Sequence, residues 1–208
     1  MYKRQIQGEG KLTGYPTIFI RLTGCNLRCK YCDTKYAYYD GIEMQIKEIL
    51  SKIENYPCKN VCVTGGEPLL QKETPTLIKK LLDRNYKVCL ETNGSIDIFD
   101  IVKIEPKDAV VISLDIKCPS SGMQDKMYFE NVKYLGEKDQ LKFIISDRDD
   151  YEYAKSIIYK LKPKCEIFMQ PLWGWKPFKL TRWILDDGLN ARLSLQLHKI
   201  IFENKKGV

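Results

Sequence analysis

Short apolar segments alternate with segments of helical periodicity along almost the whole chain. Apolar residues at positions 42, 46, 49, 50 and 53, for example, recur at the spacing of one helix face. The pattern predicts seven strands, at 17–22, 60–64, 87–91, 109–116, 140–145, 165–169 and 192–197. Six helical segments lie between them, near 42–53, 77–82, 96–104, 128–135, 151–161 and 180–189.

Strands that alternate with helices favour an α/β fold with a parallel sheet, because right-handed crossovers return the chain to the same end of the sheet. The continuous apolar run at 109–112 is typical of a parallel strand that is buried on both faces. An open doubly wound sheet and a partial barrel both fit this pattern. No stretch rich in Gly, Ser or Pro divides the chain, so we expect a single domain over residues 1–208.

Polar and glycine-rich residues follow each predicted strand. Gly24 follows the first strand, residues 64–68 the second, and Asp115 and Gln170 lie at the ends of the fourth and sixth. The carboxyl ends of parallel strands meet at one edge of the sheet, where α/β proteins place their sites. We therefore predict a ligand-binding rim at this edge.

The composition narrows the class of protein. Hydrophobic residues make up 44% of the chain, which is enough for a substantial core, yet no apolar run reaches the ~18 residues of a membrane span. The net charge of +7 is spread along the chain; it suits an anionic ligand or a nucleic acid without selecting either. We expect a cytoplasmic protein that binds neither membrane nor nucleic acid.

Eight cysteines accompany a single histidine, His198. A chain of this length in a reducing compartment does not need a disulfide scaffold, so we expect metal ligands and free thiols. Cys25, Cys29 and Cys32 form a C-x3-C-x2-C motif in a loop, and soft thiolates select zinc, copper(I) or iron–sulfur clusters. Three thiolates favour a [4Fe–4S] cluster with one open iron, and zinc remains the alternative although its fourth ligand is not evident.

The cysteine motif, with Tyr31 before its last cysteine, resembles that of the radical S-adenosylmethionine (SAM) superfamily. Residues 65–68, Gly-Gly-Glu-Pro, resemble the glycine-rich motif of that superfamily. The resemblance implies an incomplete (β/α)6-type partial TIM barrel with mostly parallel strands, in which residues 24–34 form the cluster loop. It also implies that SAM binds the open iron and is cleaved to a 5′-deoxyadenosyl radical, which abstracts hydrogen from the substrate.

Three further motifs are similar to those of one family, the 7-carboxy-7-deazaguanine synthases of queuosine and archaeosine biosynthesis. They are Gln-Gly-Glu-Gly at 7–10, Cys-Asp-Thr at 32–34 and Gln-Leu-His-Lys at 196–199. The resemblance implies a lyase that converts 6-carboxy-5,6,7,8-tetrahydropterin to 7-carboxy-7-deazaguanine, by hydrogen abstraction at C6, ring contraction and loss of ammonia. It also implies Mg²⁺ with the hydroxyl of Thr34 as a ligand.

The resemblance assigns binding residues by motif, with no catalytic side chain beyond the radical that the cofactors generate. The cluster ligands are Cys25, Cys29 and Cys32. SAM contacts are implied for Tyr31, Cys32, Asp33, Gly65, Gly66, Glu67, Asp115, Ile116, Lys117, Met169, Gln170 and Pro171. Substrate contacts are implied for Ile6, Gln7, Gly8, Glu9, Arg21, Thr64, Glu91, Asn93 and His198. Arg21 suits the substrate carboxylate, and Glu9 suits the pterin N–H groups.

The implied partners are the pterin, a flavodoxin-like or other low-potential electron donor, and a second copy of the chain in a homodimer. Another small radical SAM enzyme, such as an activase that makes a glycyl radical, would share the cysteine motif but has no reason to carry residues 7–10 or Thr34. A non-enzymatic iron–sulfur or nucleic-acid-binding module would bind RNA in a salt-sensitive way and would not bind SAM.

Two departures from the family stand out: residues 1–5 leave room for only a short edge strand, and the tail at 202–208 lacks a C-terminal proline.

Overall fold

In the part of the chain that the structure describes, eight strands form one sheet in the order in which they occur along the sequence. The computed structural model describes residues 2–106 and 109–203, so residues 204–208 of the proline-free tail lie outside the description. The strands are β1 (Tyr2–Ile6), β2 (Pro16–Leu22), β3 (Asn60–Gly65), β4 (Lys87–Thr92), β5 (Val110–Ile116), β6 (Gln140–Ile145), β7 (Glu166–Pro171) and β8 (Arg192–Leu193). β1 pairs antiparallel with β2, and each later pair is parallel. The predicted α/β class with a mostly parallel, incomplete barrel is confirmed.

Among the described residues, five of the six helices lie between parallel strands and cover the outer face of the sheet, and the sixth follows the last strand. They are α1 (Ile46–Glu54), α2 (Thr74–Leu82), α3 (Phe99–Val102), α4 (Arg148–Leu161), α5 (Pro177–Asp186) and α6 (Leu197–Phe202). Between β5 and β6 the crossover consists only of short 3-10 helices, the longest being Phe129–Tyr134. No described helix combines the length and apolarity that a membrane crossing requires.

The structure corrects three predicted elements. β1 is not among the seven strands predicted from periodicity, because its sequence, YKRQI, has no apolar pattern; it occupies the place where residues 1–5 left room for a short edge strand, and pairing with β2 makes it a strand. Ile42 is 85% exposed and outside α1, because the Glu48 carboxylate accepts a hydrogen bond from the Gln45 amide and fixes the start of the helix at Ile46. The strand predicted at 192–197 ends at Leu193, and Leu197 begins α6.

The two faces of the sheet differ in chemistry. Apolar side chains such as Val63, Leu90 and Leu114 face the helices and form the main hydrophobic core. Their neighbours along each strand point the opposite way, into the barrel, and several of these are polar, including Arg21 and Glu91. Because polar groups occupy the interior, the barrel holds a cleft instead of a second apolar core.

The connection between β1 and β2, residues 7–15, crosses the barrel and contacts distant strands; we call it the crossing segment. The Gly10 amide donates to Ser194 Oγ at 3.2 Å, and the Lys11 amide donates to Gln140 Oε1 at 2.6 Å. Gln140 is the first residue of β6, so this segment enters from the amino-terminal ends of the strands.

All eight cysteines are free thiols. Five of them are buried, and the other three are the cysteines of the predicted cluster loop. The buried thiols are Cys58, Cys62, Cys89, Cys118 and Cys165. The burial of these five agrees with the expectation of core thiols, and a role of the other three as metal ligands stays a prediction.

Candidate functional site

A cleft of about 600 Å³ opens at the carboxyl-terminal ends of the parallel strands. Inward-pointing residues of successive strands line it, because side chains alternate between the two faces of a sheet. The polar strand residues in its wall include Arg21, Thr64, Glu91, Ser113, Asp115, Lys142 and Gln170. The cleft therefore lies at the rim that the sequence predicts.

The cluster loop contributes three partly exposed thiols to this cleft. Two contacts fix its backbone: the Arg28 guanidinium donates to the Cys25 carbonyl at 2.7 Å, and the Lys30 amide donates to the Ser121 carbonyl at 3.0 Å. Burial raises the pKa of the Cys29 thiol, and the nearby Lys117 ammonium opposes this effect. Three soft thiols from one braced loop, all facing one cleft, fit an iron–sulfur cluster with three protein ligands.

Two glycines allow the end of β3 to lie directly against the cluster loop. Gly65 has a φ of 154°, and a Cβ there would lie 2.1 Å from the Leu22 carbonyl oxygen. A Cβ on Gly66 would lie 2.2 Å from the Gly24 carbonyl oxygen and 2.8 Å from Cys25 Cβ. Because either methyl group would overlap backbone atoms, only glycine permits this approach.

The cleft brings together most of the residues to which the sequence assigned a binding role. Those of the SAM and cluster set that line it are Cys25, Cys29, Tyr31, Cys32, Asp33, Thr34, Gly65, Gly66, Asp115, Lys117, Gln170 and Pro171. Those of the substrate set are Ile6, Gln7, Gly8, Glu9, Arg21, Thr64, Glu91, Asn93 and His198. All of these residues line one cleft, and the ligand that each one binds stays a prediction.

Three predicted SAM contacts do not line the cleft. Ile116 and Met169 are fully buried on the helix side of the sheet, because they alternate with the inward-facing Asp115 and Gln170. The carboxylate of Glu67 is also fully buried, and it accepts hydrogen bonds from Thr92 Oγ1 at 2.9 Å and the Asn93 amide at 2.6 Å. These three side chains therefore do not face the cleft, and a contact of SAM with the backbone at these positions stays a prediction.

Burial of Glu67 has an electrostatic consequence. Desolvation raises the pKa of this carboxyl, although the backbone hydrogen bonds from Asn93 and Leu69 oppose the rise. The buried carboxylate ties the start of the 3-10 helix Pro68–Leu70 to the end of β4. It thus joins two neighbouring strand ends beneath the cleft.

A hydrogen-bonded group forms the wall around Glu91. Gln7 Nε2 donates to Glu91 Oε1 at 2.9 Å, and Thr64 Oγ1 donates to Glu91 Oε2 at 3.1 Å. Asn93 reaches the cluster loop instead, since its Nδ2 donates to Asn26 Oδ1 at 3.1 Å. The crossing segment and two strand ends are thus held in one arrangement.

Glu9 is held by two partners, one on β6 and one just after β8. Lys142 Nζ donates to its Oε2 at 2.9 Å, and Gln196 Nε2 donates to its Oε1 at 2.6 Å. Burial alone would raise the pKa of Glu9, but the Lys142 charge and these hydrogen bonds lower it to about 2. Glu9 is therefore ionised throughout the physiological pH range.

Helix α6 closes one side of the cleft. It places His198 so close to Gly8 that a Cβ at Gly8 would lie 2.0 Å from His198 Nδ1. The neighbouring Lys199 Nζ donates to Asp33 Oδ2 at 2.6 Å and lies 5.4 Å from the centre of the Trp173 ring. Burial lowers the pKa of His198, with the negative charge of Glu9 acting in the opposite direction.

Several lining residues were not predicted from the sequence, among them Ser113, Lys142, Gln196 and Lys199. A signal for Lys142 was present, because a lysine interrupts the otherwise apolar middle of the strand predicted at 140–145. Gln196 and Lys199 belong to the Gln-Leu-His-Lys motif but received no role. Their contacts depend on α6, whose position no local pattern indicates.

Thr34 has one contact of its own: its Oγ1 donates to Asp33 Oδ1 at 2.9 Å. Within residues 2–106 and 109–203, no group of three or more His, Cys, Asp or Glu side chains converges on a single metal ion. The three loop thiols are not expected to do so, because each ligand of a [4Fe–4S] cluster binds a different iron. A magnesium site at Thr34 would thus need oxygen ligands from water or a bound ligand.

Comparisons with known proteins agree with this geometry. Residues 19–162 match the radical SAM superfamily. The chain is 42% identical to the 7-carboxy-7-deazaguanine synthase of Methanospirillum hungatei, over 94% of this chain and 81% of that protein. It is 36% identical to the enzyme of the same name from Thermoplasma acidophilum, over 98% and 96%.

Solved structures share the fold. The crystal structure of QueE from Escherichia coli matches with a TM-score of 0.74 and 24% identity, over 95% of this chain and 92% of that one. Streptococcus suis SuiB bound to S-adenosylmethionine matches with a TM-score of 0.61 and 14% identity, over 85% of this chain and 49% of that one.

Proposed function

Because this chain belongs to the 7-carboxy-7-deazaguanine synthases of the radical SAM superfamily, we propose that its cleft converts 6-carboxy-5,6,7,8-tetrahydropterin to 7-carboxy-7-deazaguanine with loss of ammonia. One observation carries the proposal: the three loop thiols, the glycine-rich end of β3 and the crossing segment at residues 7–9 all line the same cleft. We treat residues 1–208 as a single radical SAM domain.

Cys25, Cys29 and Cys32 would hold a [4Fe–4S] cluster, and SAM would lie between this loop and the strand ends. The backbone at Gly65 and Gly66 has no side chain in the way of the SAM amino acid group, and Asp115, Lys117 and Gln170 face the same space. When bound, the cluster and SAM supply the one-electron chemistry that removes hydrogen from C6 of the pterin.

The substrate would occupy the part of the cleft between the crossing segment and the ends of β2, β3 and β4. Arg21 offers a fixed guanidinium to the substrate carboxylate. Glu91 is held by Gln7 and Thr64, and each of its oxygens keeps a lone pair that can accept a pterin N–H. These contacts would orient the pterin so that C6, the carbon that loses hydrogen, faces the SAM side of the cleft.

Mg²⁺ belongs to the same proposal, with Thr34 and the substrate carboxylate among its oxygen ligands. Thr34 lines the cleft two residues after the last cluster cysteine. We expect Thr34→Ala to weaken the stimulation of the reaction by Mg²⁺ about tenfold, because a single lost ligand costs several-fold affinity. A titration of the activity with Mg²⁺ measures this effect. Thr23→Ala, which lies outside the cluster motif, is the matched control. An unchanged Mg²⁺ response in Thr34→Ala would rule out Thr34 as a magnesium ligand.

The proposal also includes an electron donor, a second copy of the chain and a cytoplasmic location. A flavodoxin-like or other low-potential donor reduces the cluster, and the enzyme acts as a homodimer. Eight free thiols are consistent with a reducing cytoplasm. Measurement of the mass in solution by light scattering tests the dimer directly.

An anaerobic product assay tests the function. Reconstituted protein is incubated with SAM, a chemical reductant, Mg²⁺ and 6-carboxytetrahydropterin, and 7-carboxy-7-deazaguanine and 5′-deoxyadenosine are measured. We expect both to form. Cleavage of SAM without the deazaguanine would contradict the proposal and favour another radical SAM activity, such as that of an activase.

A further inference from the structure

Lys142 is a buried lysine that faces the interior of the barrel. It lies in the middle of β6, and only 8% of the residue is exposed. Its ammonium group lies 2.9 Å from Glu9 Oε2 and 3.7 Å from Asp115 Oδ2. A lysine at this depth is costly unless it is paired, so its two carboxylate partners explain how the fold keeps it charged.

The two carboxylates belong to different parts of the cleft. Glu9 lies on the crossing segment, next to Gln7, which contacts Glu91 on the proposed substrate side. Asp115 lies near the end of β5 and pairs with Lys117, and the charges of both residues act on the cluster thiol of Cys29. Lys142 therefore connects the substrate side of the cleft with the cluster side through ion pairs.

Asp115 keeps one acceptor for a ligand. Its Oδ2 pairs with Lys117 Nζ at 2.8 Å, whereas its Oδ1 is buried and has no hydrogen-bond partner among residues 2–106 and 109–203. A buried carboxylate oxygen without a donor is unfavourable, and Asp115 lines the cleft. A hydroxyl or amino group of a ligand on the cluster side would satisfy this oxygen.

We propose that Lys142 is a positioning residue that couples the SAM subsite to the pterin subsite through the chain Asp115–Lys142–Glu9. A ligand that donates to Asp115 Oδ1 offsets part of that carboxylate's charge, so Lys142 pairs more strongly with Glu9 and holds the crossing segment in place for the pterin. The two ligands then bind cooperatively, and each strengthens the other by the same factor. This inference rests on the proposed function, because it takes SAM and a carboxypterin as the two ligands.

Binding measurements on the cluster-loaded protein test the coupling without catalysis. The probe is 6-carboxypterin, the oxidised form that lacks the hydrogen at C6, and its Kd is measured without SAM and with saturating SAM. We expect SAM to lower this Kd about fivefold in the wild-type protein and by less than about twofold in Lys142→Met. Lys142→Arg keeps the charge and should retain most of the coupling.

Product ratios supply a second readout. In Lys142→Met we expect the amount of 7-carboxy-7-deazaguanine formed per 5′-deoxyadenosine to fall about tenfold, since SAM is cleaved while the pterin is poorly placed. Lys87→Met removes an exposed lysine at the start of β4 and should leave both the ratio and the coupling unchanged. If Lys142→Met does not fold or assemble a cluster, Lys142→Gln and Glu9→Gln remove the same ion pair more mildly.

The results of these experiments distinguish a failure of the role of Lys142 from a failure of the proposed function. Equal coupling in wild-type and Lys142→Met protein, or a product ratio that stays the same, overturns the role of Lys142 alone. A wild-type protein that does not bind 6-carboxypterin overturns the proposed function, and the inference falls with it.

Discussion

The three cysteines of the cluster loop and the five buried cysteines show that one residue type serves two purposes in this chain. What separates them is access to the cleft, which only the loop thiols have. A soft, reachable thiolate binds iron, whereas a buried thiol packs as a small apolar side chain.

Cys29→Ala should therefore abolish both the cluster and the activity. Two thiolates cannot hold a [4Fe–4S] cluster stably, so the iron content and the visible absorbance of the reconstituted protein should fall to background. Cys58→Ala, which removes a buried thiol of the core, is the matched control and should keep its iron. A Cys29→Ala protein with a full complement of iron would refute the ligand assignment.

Glu9 yields a prediction about pH. Its pKa is lowered in the folded protein from 4.5 to about 2, so the stability it contributes is complete above pH 4.5 and is lost as the pH falls toward 2. In urea unfolding we expect Glu9→Gln to cost roughly 3 kcal/mol, constant from pH 5 to pH 8 and smaller at pH 4. Glu130→Gln, in an exposed ion pair with Lys133, should cost less than about 0.5 kcal/mol. A cost that changes between pH 6 and pH 8 would contradict the low pKa of Glu9.

Larger units of the fold, the loops and helices, acquire their positions through contacts with one another. The cluster loop rests on the end of β3, and the crossing segment rests against α6. Each contact depends on a glycine, Gly66 in the first case and Gly8 in the second, because a side chain would overlap the neighbouring element.

Gly66→Ala tests the first of these contacts. The added methyl would lie 2.2 Å from the Gly24 carbonyl oxygen, which is backbone and cannot turn aside, so the cluster loop must shift. We expect the reconstituted iron content to fall to less than about half, with a loss of stability of about 1–3 kcal/mol. Gly136→Ala is the control, since its nearest new contact would be Asp139 Oδ2 at 3.9 Å. Normal iron content in Gly66→Ala would show that the loop does not need this close approach.

The molecule as a whole is an open barrel whose cleft draws residues from the strands, the cluster loop, the crossing segment and α6. A ligand that contacts several of these parts binds the folded chain and not the unfolded one, so it stabilises the entire fold.

Thermal unfolding of the cluster-loaded protein should accordingly shift on ligand binding. At a concentration of about 100 times its Kd, SAM or 6-carboxypterin contributes about 2.7 kcal/mol, which raises the Tm by roughly 5–10 °C for a chain of 208 residues. Pterin, which lacks the carboxylate, is the control for 6-carboxypterin. It should raise the Tm by less if Arg21 binds the carboxylate. An unchanged Tm with saturating SAM would argue against a SAM site in this cleft.

Local patterns in the sequence determined most of the parallel sheet and the chemistry of the cluster loop. Strands such as 140–145 and helices such as 151–161 are evident from periodicity because each buries its own apolar face. The spacing of Cys25, Cys29 and Cys32 defines the ligand set within one loop. The resemblance of residues 7–10 and 196–199 to one family then pointed to residues that the cleft does contain.

Only the tertiary structure decided how distant segments combine. β1 and α6 form through pairing and packing with other elements, so their own sequences give little sign of them. The Lys142–Glu9 pair joins residues 133 positions apart, and the Lys199–Asp33 pair joins residues 166 positions apart. Alternation along the strands likewise separated Asp115 and Gln170, which face the cleft, from Ile116 and Met169, which do not. Such contacts depend on strand register and barrel curvature, which the chain establishes only when the whole sheet has formed.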